Sequence, residues 1–255
     1  MMKFALNPKF ENSLSMLKNV IDNFETKGED FCIGKRNKIK IFQTEHGVLN
    51  VKSFKKPNLL NAFVYRNFRK SKAKRSFEYA SYLAENQIGT PNPIGYFEYY
   101  NFLGLTQSFY ISEHLLADFT FRELVSQPEM PDHENVLRQF TKFCFELHEK
   151  GIEFLDHSPG NTLIIKGENN HYHFYLVDLN RMKFHAQMDF DLRMKNLRRL
   201  TPKKEMIAVM SNEYAKLYGK PEAEVFSKMW HETEQFQAKF HRKKALKKKL
   251  KFWKK

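Results

Sequence analysis

Two acidic residues and one amide stand at a spacing that suits a shared chemical task. Asp156 lies in the run Phe154–Asn161, which ends in an amide side chain at Asn161, and Asp178 follows one hairpin later in Val177–Met182. Magnesium-dependent phosphoryl transfer needs one carboxylate to orient a hydroxyl and accept its proton. It also needs carboxylate and amide oxygens that hold divalent cations. We therefore assign Asp156 to the hydroxyl, and Asn161 and Asp178 to metal.

A predicted β-hairpin must position these three side chains. The strand 162–165, which contains Leu163, turns at Gly167 and returns through 171–177 to Asp178. Paired strands joined by a short turn place their outer ends side by side, so Asn161 and Asp178 become neighbours. A helix with an apolar stripe at Val136, Phe140, Phe143 and Leu147, closed by a glycine, precedes the Asp156 run.

Upstream, the periodicity changes to strands that suit a nucleotide site. Ile39–Phe42 and Val48–Phe54 alternate around a short turn that contains Gly47, which predicts a second hairpin. Gly34 would let the backbone approach phosphates, and Lys52 would hold the α- and β-phosphates. Each signal is weak alone, because a single loop glycine is usually a turn and about half of such strand lysines face solvent.

A basic run from 65 to 75 leads into a predicted helix over 76–83. Glu78 on this helix is the candidate carboxylate that pairs with Lys52, and Glu85 is the second candidate. Alternatively, Glu78 neutralises the basic residues just before it at helical spacing. The basic run itself is either a solvated face or a docking surface for an anionic acceptor.

Two further strands, 94–100 and 105–112, complete the predicted antiparallel sheet. The segment 113–118 would then be a hinge whose backbone meets adenine, with Glu113 and Leu115 at the nucleotide and Leu163 contacting it from the following lobe. The fold class that results is α+β: a nucleotide-clamping lobe over 1–115, and a mainly helical catalytic lobe over 116–255 with a basic tail. After Arg181 we expect helices throughout.

Composition favours an anionic partner. The 255 residues carry a net charge of +14, and the segment 239–255 holds ten lysines or arginines and no acid. Leu246, Leu250 and Trp253 share one helical face there, so this segment is either an amphipathic helix for an anionic membrane or a disordered tail. The opening residues lack a signal-peptide core, and no run approaches the ~20 apolar residues of a membrane span. We expect a cytoplasmic protein, soluble or peripherally membrane-bound.

Other classes of site find no support in the sequence. Two cysteines are too few for a disulfide framework, and His171 and His173 have no companions at metal-ligand spacing. No Gly-x4-Gly-Lys-Ser/Thr loop occurs, and Ser158 lacks the surroundings of a hydrolase nucleophile. The basic charge comes without a nucleic-acid recognition motif, so no nucleic acid is expected as a partner.

These residues resemble the lipopolysaccharide kinase family, the protein-kinase-like enzymes that phosphorylate 3-deoxy-manno-octulosonate (Kdo) or heptose. The resemblance runs from about Gly34 to Arg199 and rests on the motifs 34–37, 51–52, 71–75 with Glu78, 90–91, 156–161 and 177–182. It implies a bilobal kinase fold, ATP and Mg²⁺, and a lipid A-linked acceptor at the cytoplasmic face of a Gram-negative inner membrane. The sequence departs from kinase motifs at Phe154, where His is usual, and at Asn180, where Gly is usual.

The sequence therefore predicts an ATP-dependent kinase for a sugar hydroxyl of the lipopolysaccharide inner core, Kdo–lipid A or similar. Two alternatives stay open: a kinase for a small soluble hydroxyl compound, and a non-catalytic ATP-binding adaptor at the membrane.

Overall fold

The computed structural model describes residues 1–33 and 37–252, with side chains described over 1–32 and 37–247. Gly34 and Trp253, both named in the sequence predictions, lie outside this description, as does the side chain of Leu250. Internal contacts divide the chain into two compact units. The first holds Met1–Leu116 and Leu176–Arg181, and the second holds Ala117–Tyr175 and Met182–Lys255. The segment that carries Asp178 thus belongs with the first unit, whereas the sequence assigned it to the second.

The first unit is a sheet with helices. Its elements are β1 (Met2–Leu6), a 3₁₀ helix (Pro8–Ser13), α1 (Leu14–Asp22), β2 (Glu29–Ile33), β3 (Asn37–Thr44), β4 (Gly47–Phe54), α2 (Leu59–Asn67), α3 (Lys72–Glu85), β5 (Pro93–Asn101) and β6 (Gly104–Glu113).

The six strands of this unit form one antiparallel sheet in the order β1-β5-β6-β4-β3-β2. Leu17, Val20 and Ile21 on one face of α1 pack against buried side chains of the central strands, including Val51 and Phe97. Leu14, Leu17 and Ile21 recur at helical spacing in the sequence, which predicts a helix with one buried face, and this face is core in the structure. β1 was not predicted, because its five residues lack a clear alternation and it is held at the edge by pairing with β5.

The predicted helix over 76–83 forms as part of α3, and an additional helix, α2, precedes it. α2 was not foreseen, and α3 begins at Lys72 rather than at Ser76. The hydroxyl of Ser71 accepts a hydrogen bond from the Lys74 amide, which is an N-cap, so the basic residues after it are already helical.

The second unit is mainly helical. Its elements are β7 (Phe119–Thr120), α4 (Phe121–Ser126), α5 (His133–Glu149), β8 (Ile152–Phe154), β9 (Thr162–Lys166), β10 (Tyr172–Leu176), β11 (Met182–Phe184), α6 (Phe190–Leu197), α7 (Lys204–Tyr218) and α8 (Glu222–Phe252), with 3₁₀ helices at Pro159–Asn161 and Glu168–Asn170.

The core of the second unit lies among α5, α7 and α8. Leu137 and Phe140 of α5, Met210 and Tyr214 of α7, and Met229 of α8 are all fully buried in one cluster. The hairpin of β9 and β10 forms as predicted and pairs with β7 in the order β10-β9-β7.

Two expectations for the C-terminal half are corrected. The chain after Arg181 is not wholly helical, because β11 pairs antiparallel with β8 before α6 begins. The basic segment is helical as far as it is described, because α8 continues to Phe252. Residues 239–252 are therefore not a disordered tail in this structure. In the described part of the chain, no helix combines the length and the apolar character needed to cross a membrane.

Candidate active site

Lys52 is a nearly buried cation on a central strand. It lies on β4 between Ile39 of β3 and Tyr110 of β6, and the residue is 9% exposed. Its ammonium group donates a hydrogen bond to Oδ1 of Asp178 over 2.6 Å. A charge removed from water needs an opposite charge close by, so this pair fixes the direction of both side chains.

Three further contacts hold Asp178 in place. The Leu176 amide donates to the Gly89 carbonyl, and the Thr90 hydroxyl donates to the Leu176 carbonyl, which anchors the segment leading to the aspartate. The Asn180 amide group donates to the same Oδ1 over 2.7 Å. Asp178 has φ +60°, in the left-handed region that costs free energy for residues other than glycine and is tolerated best by Asn and Asp. Asn180, where kinases have Gly, thus orients the carboxylate.

The predicted pair between Lys52 and Glu78 does not form in this structure. Glu78 accepts a hydrogen bond from Lys70 over 2.8 Å, while Lys52 is occupied by Asp178. Glu78 instead neutralises a residue of the local basic run, Lys70, which agrees better with the alternative interpretation of Glu78. Glu85 is exposed near the end of α3.

In the second unit, Asp156 and Asn161 belong to one ordered loop after β8. The Asn161 side-chain nitrogen donates to the Asp156 carbonyl over 2.8 Å, so the side-chain oxygen is the atom left to bind a cation. Arg199 lies 2.7 Å from Oδ1 of Asp156 and also donates to the Leu155 carbonyl over 3.0 Å. Arg199 was not predicted as a site residue. It follows α6 and is distant in sequence, so no local motif marks it.

A buried polar chain supports this loop where the usual histidine is replaced by Phe154. The carbonyl of Phe154 accepts a hydrogen bond from the Asn196 side chain, and the Asn196 side-chain oxygen lies 3.2 Å from Nε2 of His148. Nδ1 of His148 lies 2.8 Å from the Tyr214 hydroxyl. Burial lowers the pKa of His148 to about 3, so the ring is neutral at pH 7. Asn196 therefore takes over a hydrogen-bonding task in the loop.

His157 follows the candidate catalytic aspartate but is unsuited to proton transfer at neutral pH. Its ring is fully buried against Phe140 and Phe154, and burial lowers its pKa to about 4. Within residues 1–33 and 37–252, neither ring nitrogen has a hydrogen-bond partner. The neutral ring packs as an aromatic side chain, which leaves Asp156 as the titratable group of the loop that can meet a hydroxyl.

The predicted nucleotide-contacting residues divide between the two units. Glu113 ends β6 and accepts a hydrogen bond from Asn92, and the next amide, that of His114, donates to the Val48 carbonyl. Leu115 follows and is half-buried. Leu163 is partly exposed on β9, between the fully buried Thr162 and Ile164, so it faces away from the helical core. Their contact with a nucleotide stays a prediction.

The two predicted metal ligands, one in each unit, each offer an oxygen of the kind that Mg²⁺ prefers. Both bonds to Asp178 are accepted by Oδ1, and among the described residues none is made to Oδ2. Asn161 offers its side-chain oxygen, because its side-chain nitrogen donates to the Asp156 carbonyl. Mg²⁺ prefers oxygen ligands and is usually held by one or two carboxylates plus substrate phosphates. In the same described ranges there is no cluster of three or more His, Cys, Asp or Glu suited to a metal.

Comparison with known proteins identifies the family of the chain. The profile of the lipopolysaccharide kinase (Kdo/WaaP) family matches residues 58–220. A solved structure described as WaaP in complex with acyl carrier protein is similar with a TM-score of 0.64 and 14% identity, over 94% of this chain and 98% of that chain. This similarity confirms the predicted α+β, kinase-like fold. No curated protein matches the sequence at a significant level. The chain belongs to the lipopolysaccharide kinase (Kdo/WaaP) family, a family of phosphotransferases.

Proposed function

We propose that this protein transfers the γ-phosphate of ATP to a sugar hydroxyl of the lipopolysaccharide inner core, Kdo–lipid A or a similar acceptor. The observation that carries the proposal is the 2.6 Å pair between Lys52 and Asp178, with Asn180 on the same carboxylate oxygen. A buried lysine paired with a carboxylate that can bind metal is the electrostatic apparatus that kinases direct at phosphates.

Within this proposal, Lys52 neutralises the α- and β-phosphates while Asp178 and Asn161 hold Mg²⁺. Bound Mg²⁺ supplies positive charge that offsets the charge developing on the phosphate oxygens during transfer. Gly34, outside the described residues, would cover the phosphates with its backbone. The backbone at Glu113 and Leu115 would hydrogen-bond adenine, with Leu163 as an apolar contact.

Asp156 would orient the acceptor hydroxyl and accept its proton. Its Oδ1 is held by Arg199 at 2.7 Å, which fixes the direction of the carboxylate. Proton transfer to a positioned carboxylate contributes about 10²- to 10⁴-fold to such rates. The net charge of +14 supports an anionic acceptor, since the phosphates of a glycolipid are drawn to a basic surface.

The test is phosphate transfer from labelled ATP to Kdo–lipid A by the purified full chain. We expect one labelled product, and a loss of at least about 100-fold in the Asp156→Asn and Asp178→Asn variants, because each change removes a charge from the reaction. Asp191→Asn is the matched control, since Asp191 is exposed and pairs with Lys228. That variant should keep full transfer.

Other outcomes of the same assay point elsewhere. Transfer to a soluble sugar but not to Kdo–lipid A would replace the proposed acceptor with a small soluble hydroxyl compound. ATP binding without turnover on any acceptor would favour an adaptor, in which case Asp156→Ala would leave the protein's cellular role intact.

A further inference from the structure

The first unit exposes an apolar surface that the kinase reaction does not use. It consists of side chains on α2, on the residue that caps the C-terminus of α2, and on the turn between β5 and β6. Each of these side chains is between 46% and 84% exposed. We name it the α2 surface; its residues are Leu59, Leu60, Phe63, Phe68, Phe102 and Leu103. Contiguous exposed apolar surface on a soluble protein commonly marks a site of interaction.

The backbone holds these side chains outward in a fixed arrangement. α2 buries only a small residue, Ala62, against the sheet. Gly104, with φ +137°, makes this approach feasible, because a Cβ there would lie 2.4 Å from the Ala62 carbonyl oxygen. Arg66 donates to the carbonyls of Asn101 and Phe102, which ties the helix to the turn.

Cations border the α2 surface. Five lysines and arginines within α2 or next to it in sequence are exposed: Lys55, Lys56, Arg66, Arg69 and Lys70. A cavity of about 260 Å³ beside Phe68 is lined by the last three of these and by Lys3 and Lys74. Two carboxylates lie among them: Glu98 lines the cavity, and Glu78 pairs with Lys70. The positive charges outnumber the negative ones.

We infer that the α2 surface is a docking site for an anionic phospholipid bilayer. Apolar side chains on a helix with a basic border are the chemistry of interfacial membrane binding, in which the aromatic and leucine side chains enter the acyl boundary and the cations meet lipid phosphates. Lysine is depleted at protein–protein interfaces, so the lysines beside this patch favour a lipid over a protein partner.

The C-terminal segment of α8 is the rival surface. It is strongly basic, but its described exposed apolar residues, Phe240 and Leu246, are few. The α2 surface concentrates six large apolar side chains on one helix and one turn. Membrane affinity scales with buried apolar area, whereas salt screens the attraction between exposed charges and lipid phosphates. The inference therefore places the anchor on α2.

The test is flotation of the full chain with phosphatidylglycerol–phosphatidylcholine vesicles, without ATP or sugar acceptor. It is therefore independent of the proposed kinase reaction. We expect binding that weakens with salt, and a loss of at least about 10-fold in the variant Phe63→Ser/Phe68→Ser/Phe102→Ser. The side chains are exposed, so the variant should fold, and an unchanged circular dichroism spectrum and Tm verify this.

Phe240→Ser/Leu246→Ser is the matched control and should bind within about twofold of the parent. A second variant, Lys55→Glu/Lys56→Glu, should lose the salt-sensitive part of binding while keeping residual affinity for the vesicles. That result would assign the basic border to lipid phosphates, because Coulomb attraction is what salt screens.

Three results would overturn the inference. The parent protein could fail to float, or the triple variant could float as well as the parent while the α8 variant does not. The third is that the triple variant loses self-association, or loses binding to an acyl carrier protein, with vesicle binding unchanged. That last outcome would identify the α2 surface as a protein interface.

Discussion

Two charge pairs, one in each unit, set the directions of the candidate catalytic side chains. Lys52 with Asp178 orients the groups assigned to phosphate and metal, and Arg199 with Asp156 orients the group assigned to the acceptor hydroxyl. The two cations are partly shielded from water, because the side chain of Arg199 is 29% exposed and that of Lys52 is 11% exposed. Removing one member of such a pair leaves the other charge without compensation.

Arg199→Gln should lower kcat by about 10- to 100-fold with little change in KM for ATP. The change removes the cation that holds Asp156 and the donor to the Leu155 carbonyl, so the carboxylate is no longer pre-oriented. Steady-state kinetics on the sugar acceptor measure it. Arg198→Gln is the matched control, because Arg198 stacks on the same Phe236 ring, at 5.9 Å against 5.7 Å for Arg199. Equal losses in both variants would contradict a specific role for Arg199.

Asn180→Leu should raise the Mg²⁺ concentration needed for half-maximal activity by about 10- to 100-fold. Groups that orient a metal ligand typically affect metal affinity by that amount, and Asn180 donates directly to the carboxylate assigned to Mg²⁺. Activity measured over a Mg²⁺ titration reports it. Asn212→Leu removes a similar amide-to-carboxylate bond, to Glu222, in the second unit and should leave the titration unchanged. An unaltered Mg²⁺ requirement in Asn180→Leu would remove Asn180 from the metal site.

At the scale of elements, the connection between α5 and β8 determines where the Asp156 loop begins. Gly151 has φ +67° and accepts a hydrogen bond from the His185 amide just beyond β11. A Cβ at this position would lie 2.0 Å from the His185 carbonyl oxygen. The glycine therefore does more than end a helix, because it lets the chain after β11 approach the start of β8.

Gly151→Ala should destabilise the protein more than Gly219→Ala does. Both glycines are left-handed, with φ of +67° and +77°, so both variants bear a backbone cost of about 1–2 kcal/mol. Only Gly151 also meets backbone, whereas a Cβ on Gly219 has nothing within 4 Å, and we expect the clash to add about 1–3 kcal/mol. Urea unfolding of the two variants gives the difference. Equal destabilisation would mean that β8 and the chain after β11 shift apart at no cost.

At the scale of the whole molecule, two buried histidines connect pH with stability. The pKa values of His148 and His157 are about 3 and about 4 in the folded chain, against an ordinary value of 6.5. Below pH 6.5 the unfolded chain binds protons at these rings that the folded chain does not. Stability therefore rises as pH rises from about 4 to about 6.5, and above that these groups contribute no further change.

His157→Phe should flatten that dependence. The ring lies among aromatic side chains, so phenylalanine suits the site, and loss of the titrating group removes up to about 1.4 kcal/mol per pH unit from the slope. The free energy of unfolding, measured by urea titration between pH 4.5 and pH 7, checks this. His46→Phe is the control, since His46 is exposed in the turn after β3. An unchanged slope in His157→Phe would show that the ring binds protons in the folded chain as readily as in the unfolded chain.

Much of the fold follows from local sequence patterns. The hairpins, the helical stripe of α5 and the stripe of α1 are strong periodic signals, and each reappears in the structure. β1 and α2 were missed because their stability comes from tertiary contacts: β1 pairs along an edge, and α2 buries Ala62 while exposing its leucines. The periodicity of the sequence shows where the apolar side chains recur, but it does not show which of them remain exposed to solvent in the fold.

The sequence by itself determined the family and the residue types of the candidate site, because Asp156, Asn161 and Asp178 sit in short motifs whose spacing is local. Only the tertiary structure decided which partner each charge takes. In the structure, Lys52 pairs with Asp178 rather than with Glu78, and Asp156 pairs with Arg199. Asn196 hydrogen-bonds the loop in place of the missing histidine. Such partners lie between 42 and 126 residues apart in the chain. Their pairing follows from partial burial, since a charge or carbonyl shielded from water is stabilised by a partner that the fold supplies.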